Sequence, residues 1–139
     1  MLALGREVLA LQPFSVLLGS ELLVFTSALT EIRIPVRPDF LQQHGFVHGG
    51  VVSYAADNAL TYAGGGALGF AVVTSEFKIN YVRPAKGQWL IARASVIHSG
   101  KTQAVCRCDV FASDSGVEKL CAVAQGTIAL LSQPSEPKI

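Results

Sequence analysis

The sequence predicts an α+β fold in which a curved antiparallel sheet of about five or six strands wraps round one long central helix. Residues 51–63 are small or apolar, without the two-residue alternation of a strand or a wide charged face, which is typical of a buried helix. The segments after this helix alternate with a period of two, as half-buried strands do. Short turns separate the last four strands, which favours antiparallel pairing.

Length and composition limit the organisation of the chain and its partners. The 139 residues predict a single domain over residues 1–139, with its core at about residues 14–130 and a fraying tail at residues 132–139. Half of the residues are hydrophobic and only 15% are charged, which favours an obligate oligomer over a solitary monomer. The net charge of +1 gives no reason to expect binding to nucleic acid or to a membrane surface.

The N-terminus and the cysteines predict a cytoplasmic protein. The N-terminus has no basic start and no small-residue cleavage site, so we expect no secretory signal. Residues 49–73 are the only stretch of the sequence that resembles a membrane span, but the central Asp57 predicts a buried helix, a loop and a strand instead. Cys106, Cys108 and Cys121 lack a CxxC spacing. We expect them to be buried hydrophobic residues in a reducing compartment, and neither metal ligands nor nucleophiles.

The N-terminal part of the chain predicts a helix and strand structure. Residues 5–18 have a short amphipathic pattern that Pro13 interrupts and that Gly19 ends, which predicts an N-terminal helix with a glycine C-cap. Residues 21–36 predict strand structure. A turn is expected near residues 27–28, although the residues of a tight hairpin are missing there.

The central helix is predicted to begin at His48-Gly49-Gly50 and to end at the triple glycine of residues 64–66. The first N–H groups of a helix lack internal partners and carry partial positive charge, so Gly49 is suited to polarise a carbonyl oxygen. Asp57 lies eight residues after Gly49, which is about 12 Å along a helix axis. If the two groups cooperate, the carboxylate therefore has to come from a second copy of the chain. Two-fold pairing then forms two composite sites.

Four strands are predicted after the triple glycine. They cover residues 71–82, 88–97, 102–112 and 118–130, with turns at Pro84 and Gly87 and at residues 98–101 and 113–116. In the first of these strands, strict alternation puts Val73, Ser75, Phe77, Ile79 and Tyr81 on one face. Thr74 then has the opposite parity, so the pattern does not require it to face the core.

Several motifs together carry a resemblance to a known family. The most specific is His48-Gly49-Gly50 with Asp57 nine residues after the histidine. The others are Phe14 with Leu18, Gly19 and Glu21, residues 81–85 followed by Gly87, Gly100-Lys101 and Gly126-Thr127. Over about residues 14–130 the chain resembles the hotdog-fold acyl-CoA thioesterases of the phenylacetate-pathway (PaaI-like) type. The resemblance implies the hotdog fold, a homodimer as the catalytic unit, frequent pairing into a homotetramer, and no cofactor or metal beyond the coenzyme A of the substrate.

The resemblance also implies catalytic roles for five residues. Asp57 would attack the thioester directly or activate a water molecule, and the Gly49 N–H would hold the developing oxyanion. His48 would orient the thioester or cap the helix. Gln42 stands where related thioesterases often have Asn, and would hold the water or the carbonyl through its amide. Thr74 matches a Ser or Thr that helps to position the attacking water, although a plain strand residue would fit the pattern as well.

Further residues are candidates for substrate binding. Gly50 has no Cβ, so it permits close approach to the start of the helix. The phosphorylated nucleotide of coenzyme A favours cations, and Arg83, Lys86, His98 and Lys101 are predicted to lie in turns after strands. Ordinary solvated charges would produce the same pattern.

Other functions compete with thioester hydrolysis. A non-catalytic hotdog sensor that binds acyl-CoA would lack the carboxylate of Asp57, and a hydratase would use a His/Asp pair in a different motif context. A scaffold whose site has lapsed is a third alternative. No GxGxxG after a strand, Walker loop, HExxH or GxSxG motif supports another chemistry. The acyl group is left open, and so is the carrier, which is coenzyme A or acyl-carrier protein.

Overall fold

Six antiparallel strands curve around one long helix in the computed structural model, which describes residues 1–132. The predicted α+β fold is therefore confirmed, while most of the tail predicted at residues 132–139 lies outside the described residues. The helices are α1 (Leu2–Ala10), α2 (Pro13–Leu18) and α3 (Gly49–Leu68), and a 3-10 turn spans Pro38–Phe40. The strands are β1 (Glu21–Phe25), β2 (Thr30–Pro35), β3 (Val72–Tyr81), β4 (Trp89–Ser99), β5 (Gln103–Asp114) and β6 (Val117–Leu130).

The strand order across the sheet is β1-β2-β4-β5-β6-β3, which leaves β1 and β3 at the two edges. The core lies between α3 and the concave face of the sheet. Ala55, Ala56 and Ala59 are buried on the helix, and small side chains of this kind let the helix approach the strands closely. None of the helices within residues 1–132 is both long and apolar enough to cross a membrane.

The predicted end of the central helix at the triple glycine is wrong, because α3 continues to Leu68. A Cβ atom on Gly64 would lie 2.5–2.7 Å from three side-chain atoms of Ile128, which is much closer than carbon atoms can approach. Glycine is therefore needed here for contact with β6, and it does not break the helix. The helix ends at Gly69, whose φ of +106° favours glycine.

The N-terminal helix predicted at residues 5–18 is in fact two helices. Pro13 occupies the first turn of α2, where its missing N–H costs nothing, so it starts a new helix. Gly19 ends α2 with a φ of +73°, which confirms the predicted C-cap. The turn predicted at residues 98–101 also begins later, because β4 extends to Ser99 and includes His98.

The face assigned to Val73 and Ser75 by strict alternation is wrong. The pairing of β3 with β6 shifts by one residue between Thr74 and Glu76, which is a β-bulge at Ser75. The extra residue puts Thr74 on the half-buried side with Phe77, while Val73 is 46% exposed. Thr74 therefore faces α3, and the bulge is the reason.

The three cysteines are free and buried on the core side, as predicted. Cys106 and Cys108 alternate with exposed or half-buried residues of β5 and lie on the same face. Burial raises the pKa of Cys106 to about 11 and that of Cys121 to about 11. Burial, followed by the charge of Asp109, raises the pKa of Cys108 to about 12. All three are therefore neutral thiols at physiological pH.

Candidate active site at the helix and the edge strand

His48 caps the start of α3 and leaves one backbone donor free. The Gly50 N–H donates to His48 Nδ1 at 2.8 Å, and the Val51 N–H donates to the His48 carbonyl at 2.9 Å. Gly50, predicted to contact the substrate, therefore uses its N–H inside the cap. In a neutral imidazole, the proton of His48 then sits on Nε2. Within residues 1–132, the Gly49 N–H donates to no acceptor, so it is available to a bound oxygen.

The Asp57 carboxylate is half-buried and is held by threonines. Thr74 Oγ1 donates to Asp57 Oδ1 at 2.6 Å. Thr61 Oγ1 lies 2.9 Å from Thr74 Oγ1 and 2.8 Å from the Asp57 carbonyl oxygen. Within the described chain, Asp57 Oδ2 accepts no hydrogen bond. One carboxylate oxygen is therefore positioned, and the other is left for chemistry.

Thr61 was not predicted from the sequence, and it joins this network one helix turn after Asp57. The spacing of four residues puts both side chains on the same face of a helix, so the signal was present in the sequence. The hydroxyl groups of Thr61 and Thr74 together fix the orientation of the carboxylate. Asn58 is not part of this network, because its side chain points away from Asp57 and donates to Tyr54 Oη at 3.1 Å.

The edge strand β3 contacts α3 both at its start and near its middle, where the two candidate groups lie. Thr74 near its start binds Asp57, and Tyr81 at its end donates its hydroxyl to the Gly49 carbonyl oxygen at 3.0 Å. Along the helix axis, Gly49 and Asp57 are about 12 Å apart at 1.5 Å per residue. One chain therefore does not bring the carboxylate to its own Gly49 N–H. Among the described residues, β3 pairs only with β6, so its outer edge is open.

A cavity of about 500 Å³ lies in front of Gly49. It is bounded by the loop before α3, which contributes Gln42 and Phe46, and by the segment after β3, which contributes Arg83. Gln42 Oε1 accepts a hydrogen bond from the backbone N–H of His44, which fixes the side-chain amide within its own loop. The amide Nε2 remains a donor at the cavity wall.

Of the four cations predicted to bind coenzyme A, two lie together. Arg83 and Lys86 line a second cavity of about 260 Å³, which shares Phe46 with the first. His98 and Lys101 lie at the opposite end of the β4–β5 hairpin, about ten residues or roughly 33 Å away along the strands. The four cations therefore do not form one cluster within a chain.

Lys119 lines the same second cavity and was not predicted. It pairs with Ala112 across the β5–β6 hairpin, so a correct register for that hairpin would have located it. Three cations, the Asp114 carboxylate and an aromatic ring thus adjoin the cavity in front of Gly49, with an excess of positive charge. No group of three or more His, Cys, Asp or Glu side chains suited to a metal occurs within residues 1–132.

Comparisons with known proteins agree with this fold. Residues 44–119 match the family model of the thioesterase superfamily. A thioesterase family protein of Silicibacter pomeroyi is similar in structure, with a TM-score of 0.82, 32% identity and coverage of 91% of this chain and 96% of that one. The E. coli PaaI protein from the phenylacetic acid degradation operon has a TM-score of 0.79 and covers 92% of this chain and 91% of its own, but its 21% identity shows the fold alone.

A third structure is that of a Bacillus halodurans protein with CoA. It has a TM-score of 0.62 and 30% identity, and the match covers 73% of this chain and 66% of that chain. The family match extends over more than half of the 139 residues and includes the start of α3, Asp57 and Thr74. The chain therefore belongs to the thioesterase superfamily, has a PaaI-like hotdog fold, and is a thioester hydrolase.

Proposed function

We propose that the protein hydrolyses acyl-CoA thioesters in a site shared by two copies of the chain, with Asp57 as the nucleophile or general base. The observation that carries this proposal is the separation of the two functional groups. Asp57 has a free carboxylate oxygen at one end of β3, and Gly49 has a free N–H at the other end. Only a second chain can bring such groups to the same thioester.

The open edge of β3 supplies the geometry for this pairing. In an antiparallel pair of two β3 strands, the start of each strand faces the end of the other. Thr74 and its bound Asp57 would then lie opposite Tyr81 and Gly49 of the second copy. A two-fold axis produces two such sites and covers the open edge, together with Tyr81, which is 54% exposed. A homodimer is therefore the catalytic unit, and its further pairing into a homotetramer remains a prediction.

The chemistry follows from these positions. The Gly49 N–H, at the positive end of the helix, stabilises the oxyanion that forms on the thioester carbonyl. Asp57 Oδ2 attacks the carbonyl carbon or removes a proton from the attacking water, while Thr74 holds Oδ1. The carbon–sulfur bond then breaks and CoA leaves as a thiolate. In the nucleophilic route an anhydride between Asp57 and the acyl group is left, and water then hydrolyses it and restores the carboxylate. In the general-base route the water oxygen is already bonded to the carbonyl carbon. The products of both routes are the free acid and CoA.

The cavity in front of Gly49 suits the CoA part of the substrate. Arg83, Lys86 and Lys119 favour phosphate groups at its outer end, and Phe46 offers a surface on which adenine can stack. The Bacillus halodurans relative, solved with CoA, supports the same class of ligand. His98 and Lys101 of the second copy would approach this end in the antiparallel dimer, because they lie at the other end of its sheet.

The first experiment measures thiol release from a panel of acyl-CoA esters. In Asp57→Asn we expect kcat to fall by about 10²–10⁴-fold without loss of folding or of the oligomer, because the amide is neither a base nor a nucleophile. Asn58→Asp/Asp57→Asn, which moves the carboxylate to the neighbouring position, is the matched control and should not recover activity. Tight binding of an acyl-CoA without any turnover in the wild type would contradict the proposal.

The shared site is tested by mixing two inactive variants. Gly49→Pro removes the N–H donor, and proline is well tolerated at the first position of a helix. Gly49→Ala keeps the N–H, and its new Cβ would lie 3.5 Å from the Tyr81 ring, so it is the control that should stay active.

Hybrid dimers of Gly49→Pro with Asp57→Asn contain one intact site and one doubly altered site. After random exchange of subunits, activity should return to about a quarter of the wild-type value, because half of the dimers are hybrids and half of their sites are intact. A site contained within one chain would recover no activity on mixing.

A further inference from the structure

A recess of about 80 Å³ opens beside the candidate carboxylate, on the side away from the start of α3. Thr61 belongs both to this recess and to the hydrogen-bonded network of Asp57 and Thr74. The other walls come from α1, the α1–α2 turn, α3 and the segment leading into β3, through Val8, Gln12, Tyr62, Gly65, Phe70 and Val72. The recess is therefore one helix turn from the carboxylate and is not part of the cavity in front of Gly49.

The two cavities differ in size by a factor of about six, since they measure about 500 Å³ and 80 Å³. A thioester held between Asp57 of one chain and Gly49 of the other would have one cavity on each side. The larger one accommodates CoA, which leaves the smaller one for the acyl chain. An apolar cavity of about 150 Å³ holds benzene, which has six carbons. In proportion, the recess has space for about three carbons beyond the carbonyl.

One wall of the recess is polar. Ser15 Oγ donates to Gln12 Oε1 at 2.6 Å, which fixes the orientation of the Gln12 amide. Within residues 1–132, Gln12 Nε2 donates to no acceptor, so it is an unused donor. The other two polar side chains that line the recess are already hydrogen-bonded, since the Tyr62 hydroxyl donates to the Gly5 carbonyl oxygen at 2.9 Å and the Thr61 hydroxyl belongs to the Asp57 network. Gln12 is half-buried, so water can reach this donor in the free protein. An aliphatic chain that displaces this water would leave the Gln12 donor unsatisfied, whereas an oxygen on the acyl chain would accept from it.

We propose that this recess binds the acyl group, that it restricts the enzyme to short chains of about four carbons including the carbonyl, and that Gln12 selects a hydroxyl or oxo group on the chain. This inference rests on the proposed acyl-CoA thioesterase function and adds the substrate class. Val8 and Gly65 set the length of the chain, and Gln12 sets its polarity. None of these three is a catalytic residue.

The test compares kcat/KM for acetyl-, butyryl-, 3-hydroxybutyryl-, hexanoyl-, decanoyl- and phenylacetyl-CoA. We expect the wild type to prefer 3-hydroxybutyryl over butyryl by at least about five-fold. We expect hexanoyl-, decanoyl- and phenylacetyl-CoA to be slower than butyryl-CoA by about ten-fold or more. A wild-type preference for decanoyl or phenylacetyl esters overturns the inference while the thioesterase function stands. Absence of turnover on every ester overturns both.

Three variants test the walls separately. Gly65→Ala narrows the recess and is structurally mild, because its Cβ would meet nothing nearer than Val72 at 3.5 Å. It should reduce kcat/KM for butyryl-CoA about ten-fold and leave acetyl-CoA unchanged. Val8→Ala should raise hexanoyl-CoA turnover about ten-fold relative to butyryl-CoA. Gln12→Leu should abolish the preference for 3-hydroxybutyryl over butyryl. Equal effects of a variant on all six esters would overturn the role assigned to that wall.

Discussion

Gly64→Ala tests the close contact between α3 and β6. In a helix interior, Ala is intrinsically more stable than Gly by about 1 kcal/mol. At this position the new Cβ would lie 2.5 Å from Ile128 Cβ and 2.6–2.7 Å from its two γ carbons, where about 3.5–4.0 Å is needed. The helix and the strand must then separate by about 1 Å, and overpacking of this kind costs about 1–3 kcal/mol. Because the clash involves a Cβ fixed to the backbone, we expect a cost in the upper part of this range, about 2–3 kcal/mol, which leaves a net loss of about 1–2 kcal/mol after the gain in helix propensity.

Gly65→Ala is the matched control in the same triple glycine. Its Cβ would be 3.5 Å from Val72 Cγ2, an ordinary contact, so the helix propensity should raise the stability by about 0.5–1 kcal/mol. Urea unfolding at one fixed protein concentration measures both variants, and an unchanged m value shows that the midpoints can be compared. If Gly64→Ala is as stable as Gly65→Ala, the glycine is not required for helix–sheet contact and the explanation for the long helix is wrong.

Three further outcomes follow from the hydrogen bonds and charges. Thr74→Val should lower kcat about 10–100-fold by releasing the carboxylate, whereas Thr74→Ser should keep most of the activity. Hydrogen bonds from Arg93 hold the pKa of Glu118 below its usual 4.5, so their contribution to stability is present above pH 4.5 and is lost as the pH falls through the folded-state pKa. Glu118→Gln should therefore lower the free energy of unfolding by less than about 1 kcal/mol at pH 7, since the pair is partly exposed, and urea unfolding should show a smaller loss at pH 3 than at pH 7. Arg83→Ala with Lys119→Ala should raise KM for CoA esters about ten-fold and leave a thioester without the nucleotide unaffected.

The fold could be predicted because its main signals are local. The apolar run of α3 and the alternation of β4, β5 and β6 are each readable within one segment. The wrong predictions concern residues whose identity or orientation depends on a contact with a residue far away in the sequence. Gly64 is set by Ile128, and the side of β3 on which Thr74 lies is set by a bulge opposite β6. Neither effect changes the spacing of hydrophobic residues along the segment, so neither can be predicted from that spacing.

The candidate site was predicted in part for the same reason. Gly49 and Asp57 could be placed on one helix, about 12 Å apart, from their spacing alone, and their assignment to different copies of the chain stays a prediction. Thr61 was available from its spacing and was overlooked, whereas Lys119 depended on the register of a hairpin. Arg83 and Lys86 lie together, but His98 is at the other end of the sheet in the same chain. The turn residues alone do not show at which end of the sheet each turn lies, so this separation could not be predicted.

The three buried cysteines can be used to follow local unfolding of the sheet, because their thiols react only when they become exposed. A reagent that reacts with thiolates should detect the thiol released by thioester hydrolysis with little background, because Cys106, Cys108 and Cys121 are shielded and protonated in the folded chain. Under slowly denaturing conditions, the rate of reaction with the same reagent measures how fast the cysteine thiols become exposed. The three thiols come from adjacent strands, so they should become reactive in one step if those strands open as a unit. A thiol that reacts earlier would locate the part of the sheet that opens first.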